Sequence, residues 1–276
     1  MTRDIIVGVL ALQGAFYEHI KLLQQAATEV ALNDGQRWKF AEIRTVEELE
    51  RCEALIIPGG ESTTVSLVAA RSNMLEPLRD FVKVRRKPTW GTCAGLILLA
   101  ESANRTKKGG QDLIGGLDVK VNRNYFGRQT ESFEAPLALP FLRSKVGEDG
   151  SDRFNGIFIR APVVEKLLPV IRGEQTGEGA FDETVIAPAK AAEGEKAKKQ
   201  VLRPVEVMAT LPGRSRTLKE KIVALGMADE VGDIVAVKQG NVFGTSFHPE
   251  LTEDARIHIW WLEQVRDTLE DQDQDR

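Results

Sequence analysis

Short apolar runs alternate with amphipathic segments in the first part of the chain. Residues Ile5–Leu12 are almost continuously apolar, as expected for a parallel strand that is covered on both faces. Residues Phe16–Ala27 repeat apolar side chains at helical spacing, and a second buried run, Ala54–Ile57, ends at a Pro-Gly-Gly turn. Strands that alternate with helices in this way predict an α/β fold built on a doubly wound, mostly parallel sheet.

A different pattern follows toward the carboxyl end. Two apolar arms, Ile234–Lys238 and Val242–Phe247, are separated by Gln-Gly-Asn, which predicts an antiparallel hairpin added to the sheet. A last helix is predicted over about residues 253–269. From about residue 173 to 232 the chain is rich in Gly, Ala, Glu and Lys. We therefore expect a single domain over residues 1–276 with a flexible insertion at about 173–232.

Composition narrows the classes of function. With 276 residues and 42% apolar content, the chain can bury a substantial core without crosslinks. The net charge of -4 and the lack of a dominating basic tract argue against nucleic acid as a partner, and no apolar run reaches membrane-spanning length. The two cysteines, Cys52 and Cys93, are too few for a disulfide framework and indicate a reducing compartment. We therefore expect a cytoplasmic protein without a membrane partner.

One of these cysteines lies in an unusual local context. Cys93 stands within Gly91–Gly95 (GTCAG), between a predicted strand that ends at Trp90 and a buried helical run over Leu96–Ala100. Strand-to-helix elbows with small neighbours expose a nucleophile on a strained turn, and a helix N-terminus lowers the pKa of a thiol placed there. A nucleophilic Cys93 is one interpretation. A small buried thiol in front of a core helix is the other, and the local pattern does not choose between them.

A glycine-rich loop and two arginines lie at further strand ends. Pro58–Thr64 (PGGESTT) combines two glycines with helix-capping hydroxyls, so its N–H groups could hold a carboxylate or an oxyanion. Arg123 stands in a segment dense in side chains that could bind an anion or an amide, and Arg160 follows the predicted strand that begins at Phe154. An ordinary capped turn and ordinary surface arginines are the alternatives.

The three histidines differ in their positions. His248 ends the second arm of the hairpin, and Glu250 follows two residues later. In an extended chain both side chains point to one side, which lets the carboxylate select the tautomer of the ring and stabilise its charged form. His19 and His258 fall within predicted helices, where solvated or packed roles are the default. A cysteine followed later in the chain by His-x-Glu is an acceptable order for a catalytic triad.

Six motifs, in chain order, resemble those of the glutaminase subunits of pyridoxal 5'-phosphate synthase, which are class I glutamine amidotransferases. The elbow followed by His-Pro-Glu is typical of the class, and the other motifs narrow the resemblance to the vitamin B6 branch. The resemblance spans almost the whole chain. The motifs are Leu10–Gly14 (LALQG), Pro58–Thr64 (PGGESTT), Gly91–Leu96 (GTCAGL), Phe126–Gln129 (FGRQ), Phe158–Pro162 (FIRAP) and Ser246–Asp254 (SFHPELTED).

The resemblance implies a three-layer, flavodoxin-like amidotransferase fold and a glutaminase reaction that converts L-glutamine to L-glutamate and ammonia. It implies Cys93 as nucleophile, His248 as general base and acid, and Glu250 as the residue that orients the ring. The backbone N–H groups of Gly60 and Ala94 would form the oxyanion hole. The glutamine-binding positions that it implies are Gly60, Glu61, Ser62, Arg123, Ile159 and Arg160.

The resemblance also implies a partner. In this family a separate synthase (lyase) subunit activates the glutaminase by docking, receives the ammonia through an internal tunnel and makes pyridoxal 5'-phosphate, so a hetero-oligomer is expected. No metal or organic cofactor is implied for this chain. Two alternatives stay open: a thiol hydrolase or peptidase on a similar sheet, and a catalytically silent regulatory or assembly subunit of the synthase. The glutamine-binding positions weigh against the first alternative, and the intact triad weighs against the second.

Overall fold

The computed structural model of the protein describes residues 2–104, 111–123, 132–142, 153–169, 184–211 and 232–273. The motif Phe126–Gln129 lies outside the described residues, as do the outer parts of the predicted insertion. Within the described ranges, no helix is both long enough and apolar enough to cross a membrane.

The described residues form one large sheet and a separate two-stranded sheet. Their strands are β1 (Arg3–Leu10), β2 (Gln36–Ile43), β3 (Ala54–Ile57), β4 (Thr89–Thr92), β5 (Ala100–Asn104), β6 (Leu117–Asn122), β7 (Ser132–Ala138), β8 (Arg153–Ile159), β9 (Val163–Leu167), β10 (Thr184–Ile186), β11 (Glu206–Leu211), β12 (Asp233–Gln239) and β13 (Val242–Thr245). The large sheet has the order β10-β5-β6-β9-β12-β13-β4-β3-β1-β2, with β11 paired to β12, and β7 pairs with β8 in the small sheet.

Five neighbouring strands of the large sheet, β13, β4, β3, β1 and β2, are parallel throughout. β12 runs antiparallel to β13 and joins it through a tight turn, and β9 runs antiparallel to both β6 and β12. The prediction of an α/β fold with a mostly parallel sheet and an added antiparallel hairpin is therefore confirmed.

Helices cover both faces of the large sheet. They are α1 (Phe16–Ala26), α2 (Val46–Glu50), α3 (Ser62–Arg71), α4 (Leu75–Arg79), α5 (Ala94–Leu99), α6 (Gly194–Val201) and α7 (Arg256–Asp273). Successive side chains of a strand point to opposite faces, so β3 contributes Ala54 and Ile56 to one core and Leu55 and Ile57 to the other. The first core contains residues of α1 and α7, and the second contains residues of α3, α4 and α5. This is the three-layer arrangement that the resemblance implied.

Part of the predicted insertion is packed against the rest of the fold. β10 pairs with β5 and β11 with β12. In the chain segment that connects β10 to β11, helix α6 buries Ala197 and Val201, which share one helix face because they are four residues apart. Nζ of Lys83 donates to the carbonyl oxygen of Pro188 at 2.6 Å. These residues therefore form regular elements, which fits the high helix propensity of Ala, Glu and Lys, and the flexibility of the insertion stays a prediction.

Candidate active site

The carboxyl ends of three neighbouring parallel strands meet at one edge of the large sheet. The register pairs Ile57 of β3 with Gly91 of β4, and Thr92 of β4 with Thr245 of β13. The segments that leave these strands therefore begin side by side. They carry the glycine-rich loop, the elbow cysteine and the His-x-Glu motif, which are far apart in sequence. In open α/β sheets this edge is where ligands bind.

Cys93 links β4 to α5 in a backbone conformation that L residues rarely adopt. Its φ is 48° and its ψ is -99°, and strain of this kind costs roughly 1–3 kcal/mol and clusters at active sites. Glycine is required on both sides of Cys93 because other backbone segments approach closely there. A Cβ on Gly91 would lie 2.4 Å from the carbonyl carbon of Gly95, and one on Gly95 would lie 2.0 Å from the carbonyl oxygen of Ile57. The predicted elbow is present, and neither glycine can be replaced without a backbone shift.

His248 and Glu250 form a buried pair beside Cys93. Nδ1 of His248 lies 2.7 Å from Oε1 of Glu250. A 3₁₀ turn over Pro249–Leu251 brings the two side chains together, so the extended chain predicted for this segment is wrong although the predicted contact is present. The ring lies against Gly59, where a Cβ would be 2.3 Å from Cε1 of His248 and 3.4 Å from Cβ of Cys93.

The charges around His248 decide its protonation. Burial by itself lowers the pKa of the imidazole, but the neighbouring Cys93 sulfur and the Glu250 carboxylate, through charge and hydrogen bonds, raise that pKa to about 10. The raised pKa favours the imidazolium form of the ring at neutral pH, with the Glu250 carboxylate and the Cys93 sulfur as its charged neighbours. A thiolate next to an imidazolium is the reactive form of cysteine in hydrolases.

Two further histidines, which the sequence predicted to be packed or solvated, lie behind Glu250 in the interior. His19 on α1 and His258 on α7 are fully buried, and Nδ1 of the first lies 2.9 Å from Nε2 of the second. Nε2 of His19 also lies 3.4 Å from Oε2 of Glu250 and 3.3 Å from Oγ1 of Thr92. Helical spacing places His19 on the apolar face of α1, which indicates burial. It does not reveal which groups the ring meets.

Arg123 forms a hydrogen-bonded cluster next to the glycine-rich loop. Its Nη2 donates to Oγ of Ser62 at 2.9 Å and to Oγ1 of Thr63 at 3.0 Å. Oγ of Ser62 donates in turn to Oε1 of Gln111 at 3.1 Å, a contact that no sequence motif indicated. Burial lowers the pKa of Arg123, and the Glu61 carboxylate opposes that shift. The guanidinium stays charged, because the ordinary pKa of arginine lies far above neutrality.

The other predicted glutamine-binding side chains border the same space. Nη1 of Arg160 lies 3.9 Å from Oε2 of Glu61, and both side chains are about half exposed. The carbonyl oxygen of Ile159 lies 3.9 Å from Sγ of Cys93. A cation and an anion at the mouth of the site, above a buried sulfur, suit a zwitterionic substrate.

The two predicted oxyanion donors belong to two segments that approach Cys93, the start of α5 and the loop after β3. Ala94 is the first residue of α5, and N–H groups in the first turn of a helix lack intrahelical partners. Gly60 follows the glycine that contacts His248, and a Cβ on Gly60 would lie 2.5 Å from Oε1 of Gln13. Among the described residues, no group of three or more His, Cys, Asp or Glu side chains is placed to hold a metal ion.

The molecule presents a strained cysteine at a strand-to-helix elbow of an open α/β sheet, and a buried His–Glu pair follows the neighbouring strand β13. These features place it among the cysteine-dependent amidotransferases and hydrolases of the elbow type. The match to a family model makes the class specific. The chain belongs to the SNO glutamine amidotransferase family, whose model matches residues 9–192 and 206–267. These ranges contain every predicted site residue.

Individual relatives cover nearly the whole chain. The probable pyridoxal 5'-phosphate synthase subunit PDX2 of Arabidopsis thaliana is 40% identical over 266 residues, which are 95% of this chain and 86% of that protein. The pyridoxal 5'-phosphate synthase subunit PdxT of Streptomyces avermitilis is 38% identical over 261 residues, 95% of this chain and 94% of that protein. A solved structure of a glutamine amidotransferase, 34% identical, matches with a TM-score of 0.59 over 94% of this chain and 98% of that chain. The resemblance stated from the motifs is confirmed.

Proposed function

We propose that this chain hydrolyses the side-chain amide of L-glutamine, with Cys93 as nucleophile, His248 as general base and acid, and Glu250 as the residue that orients the ring. The observation that carries the proposal is the elbow, where a strained cysteine stands beside an imidazole whose Nδ1 lies 2.7 Å from a buried carboxylate. Membership of a glutamine amidotransferase family supplies the substrate class.

The reaction consists of two displacements at one carbon. The Cys93 thiolate attacks the amide carbon of glutamine, and the carbonyl electrons move onto oxygen. The imidazolium of His248 gives its proton to the amide nitrogen, ammonia leaves and a thioester remains. The ring, now neutral, takes a proton from water while the water oxygen attacks the thioester. Collapse of this second intermediate releases glutamate and restores the thiolate and the imidazolium.

Backbone donors stabilise the negative oxygen in both steps. We assign this role to the N–H groups of Gly60 and Ala94, one on the loop after β3 and the other at the start of α5. Loss of a single oxyanion donor typically costs on the order of 10²–10³ in rate. Because the loop donor depends on the conformation of Gly59 and Gly60, a change in that loop would switch the rate without any change in the triad.

The charged side chains around the site match the charges of glutamine. Its α-carboxylate and α-ammonium groups need a cation and an anion about one side-chain length from the amide. Arg160 and Glu61 supply these charges at the half-exposed mouth, where they lie 3.9 Å apart. Arg123 and Ser62 act from a buried position, and the carbonyl of Ile159 faces the sulfur.

The ammonia has a specific destination in this proposal. The relatives from Arabidopsis thaliana and Streptomyces avermitilis are named as subunits of pyridoxal 5'-phosphate synthase. We assign this chain the corresponding place, as the subunit that supplies ammonia to the synthase subunit within a hetero-oligomer for vitamin B6 biosynthesis.

Glutamate release in four samples tests the proposal. The wild-type chain is assayed with glutamine, alone and with its synthase partner, beside Cys93→Ala and Cys52→Ala in the presence of the partner. We expect activity that depends on the partner, none for Cys93→Ala and nearly full activity for Cys52→Ala. Cys52 is a matched control because it is also buried, and burial raises the pKa of its thiol to about 12. No glutamine hydrolysis by the wild-type complex would refute the glutaminase and favour a silent subunit.

A further inference from the structure

Behind the triad lies a buried row of polar groups that the reaction described above does not use. Glu250 contacts His248 through Oε1, whereas Oε2 faces Nε2 of His19 at 3.4 Å. Both Glu250 and His19 have fully buried side chains. Among the described residues, no standard hydrogen bond reaches Oε2. A buried carboxylate oxygen needs a donor, because leaving one unsatisfied costs at least about 1–3 kcal/mol.

The hydrogen-bond pattern selects one tautomer of His19. Its Nδ1 lies 2.9 Å from Nε2 of His258, so one of these two nitrogens carries the shared proton. If His258 donates, the proton of His19 is on Nε2, which lies 3.3 Å from Oγ1 of Thr92 and 3.4 Å from Oε2 of Glu250, and Nδ1 of His258 is an unprotonated nitrogen. The opposite choice places a lone pair against the carboxylate and leaves an N–H of His258 buried without an acceptor. That second arrangement costs more.

Both rings of the row are neutral. Burial lowers the pKa of His19 well below its ordinary value, and the neighbouring rings of His258 and His248 lower it further. Burial likewise lowers the pKa of His258 to about 3. A neutral donor suits this place, because a second imidazolium would repel the one that the triad requires.

We infer that His19 is a positioning residue of the active site: its Nε2–H, oriented by His258, holds Oε2 of Glu250 so that Oε1 stays on the ring of His248. Its effect on turnover rests on the proposed glutaminase reaction. Its effect on the carboxylate does not.

The groups around His19 come from several elements. Thr92 of β4 places Oγ1 at 3.3 Å from Nε2 of His19, within hydrogen-bond geometry, and the Glu250 carboxylate lies 3.4 Å from the same nitrogen. The ring of Trp90 meets His19 edge-on with the centroids 5.5 Å apart, and it meets His258 at 4.9 Å. The charges that face the row are therefore those of the carboxylate and, beyond it, the imidazolium of the triad.

Three substitutions at His19 separate positioning from packing. In His19→Gln the amide nitrogen reaches the place of Nε2 and can still donate to Glu250. In His19→Asn the amide reaches only the place of Nδ1, and His19→Leu fills the space without a donor. For the Asn and Leu variants in the synthase complex, we expect kcat to fall about 10- to 100-fold and KM to change less than about twofold, as for loss of a hydrogen bond to a charged group. The Gln variant should keep most of the wild-type rate.

A second measurement needs no glutamine. The rate at which iodoacetamide alkylates Cys93 as a function of pH reports the thiolate, which the imidazolium of His248 stabilises. When Oε2 is no longer held, Glu250 supports the imidazolium less well. The midpoint of the profile should therefore rise by about one pH unit in His19→Asn and stay in place in His19→Gln. A Cys52→Ala background leaves one thiol in the chain.

The outcomes distinguish this inference from the glutaminase proposal. The inference is refuted if His19→Asn matches the wild type in both kcat and alkylation profile, or if a natively folded His19→Gln is as impaired as His19→Leu. If the His19 variants do not fold, Gln and Asn at His258 give the same comparison from the other end of the row. An alkylation shift in a protein whose wild type does not hydrolyse glutamine would support positioning and overturn the glutaminase.

Discussion

Glu250→Gln tests the charge arrangement of the active site most directly. The amide keeps the shape of the side chain and can still accept a hydrogen bond from Nδ1 of His248, but the negative charge is gone. Nδ1 and Oε1 lie 2.7 Å apart, and the carboxylate is fully buried. Because an imidazolium spreads its charge over the ring, the effective separation is about 4 Å, and a pair of unit charges is then worth about 4 kcal/mol at an effective dielectric constant of about 20.

That energy corresponds to about 10³-fold in kcat, because the proton on His248 must be present when ammonia departs. The KM for glutamine should change little, since Glu250 lies behind the ring and away from the substrate space. The pH dependence changes as well. In the wild type the pKa of His248 is raised to about 10, which keeps the ring protonated through neutral pH. Without the carboxylate this pKa falls, so the alkaline limb of kcat moves to lower pH.

The assay is glutamate release in the synthase complex, measured across pH for the wild type and two variants. Glu253→Gln is the matched control, because it removes the same charge from an exposed position three residues further along the chain. It should behave as the wild type. A kcat for Glu250→Gln within about tenfold of the wild type, or an alkaline limb that does not move, would refute the reasoning, because a charge pair of this size cannot be lost without such effects.

Three further predictions concern stability and substrate binding. Gly95→Ala should lower the free energy of unfolding by about 3 kcal/mol or more, because the added Cβ would lie 2.0 Å from the carbonyl oxygen of Ile57. Arg123→Ala should raise the KM for glutamine about tenfold with a smaller change in kcat, since it removes a guanidinium hydrogen-bonded to two loop hydroxyls. Burial lowers the pKa of His258 to about 3. Below the ordinary pKa of histidine, the unfolded state therefore binds more protons than the folded state. The free energy of unfolding should then fall by up to about 1.4 kcal/mol for each unit of decreasing pH. His258→Gln should make this slope shallower.

Each of these predictions has a contradicting result, and the glycine substitution also has a control. Urea unfolding of Gly35→Ala, where a Cβ meets nothing within 4 Å, should show only the cost of a left-handed backbone, about 1–2 kcal/mol. Equal losses at Gly95 and Gly35 would contradict the contact argument. An Arg123→Ala variant with unchanged KM would remove this residue from the substrate site. Equal pH slopes between pH 4 and 6.5 for the wild type and His258→Gln would show that the ring is not buried in neutral form.

Local pattern predicted the elements near the site closely. The expected strand over Ala54–Ile57 is β3 to the residue, and the helix expected over Phe16–Ala27 is α1 within one residue. Apolar spacing is sufficient here because each of these elements is buried on a fixed face or on both faces. The amino-acid composition of the insertion was less informative, since Ala, Glu and Lys occur both in solvated tracts and in a packed helix such as α6.

The sequence by itself determined the local motifs of the candidate active site: a cysteine between two glycines, a Gly-Gly loop, and His248 with Glu250 two residues away. These signals are short in sequence because each depends on the backbone of one turn. The tertiary structure alone decided how they combine. Strand register places the three turns side by side, and the packing of α1 and α7 carries His19 to Glu250 across a separation of 231 positions in the chain. No local pattern encodes that contact, because side-chain neighbours on different helices are set by how the helices cover the sheet.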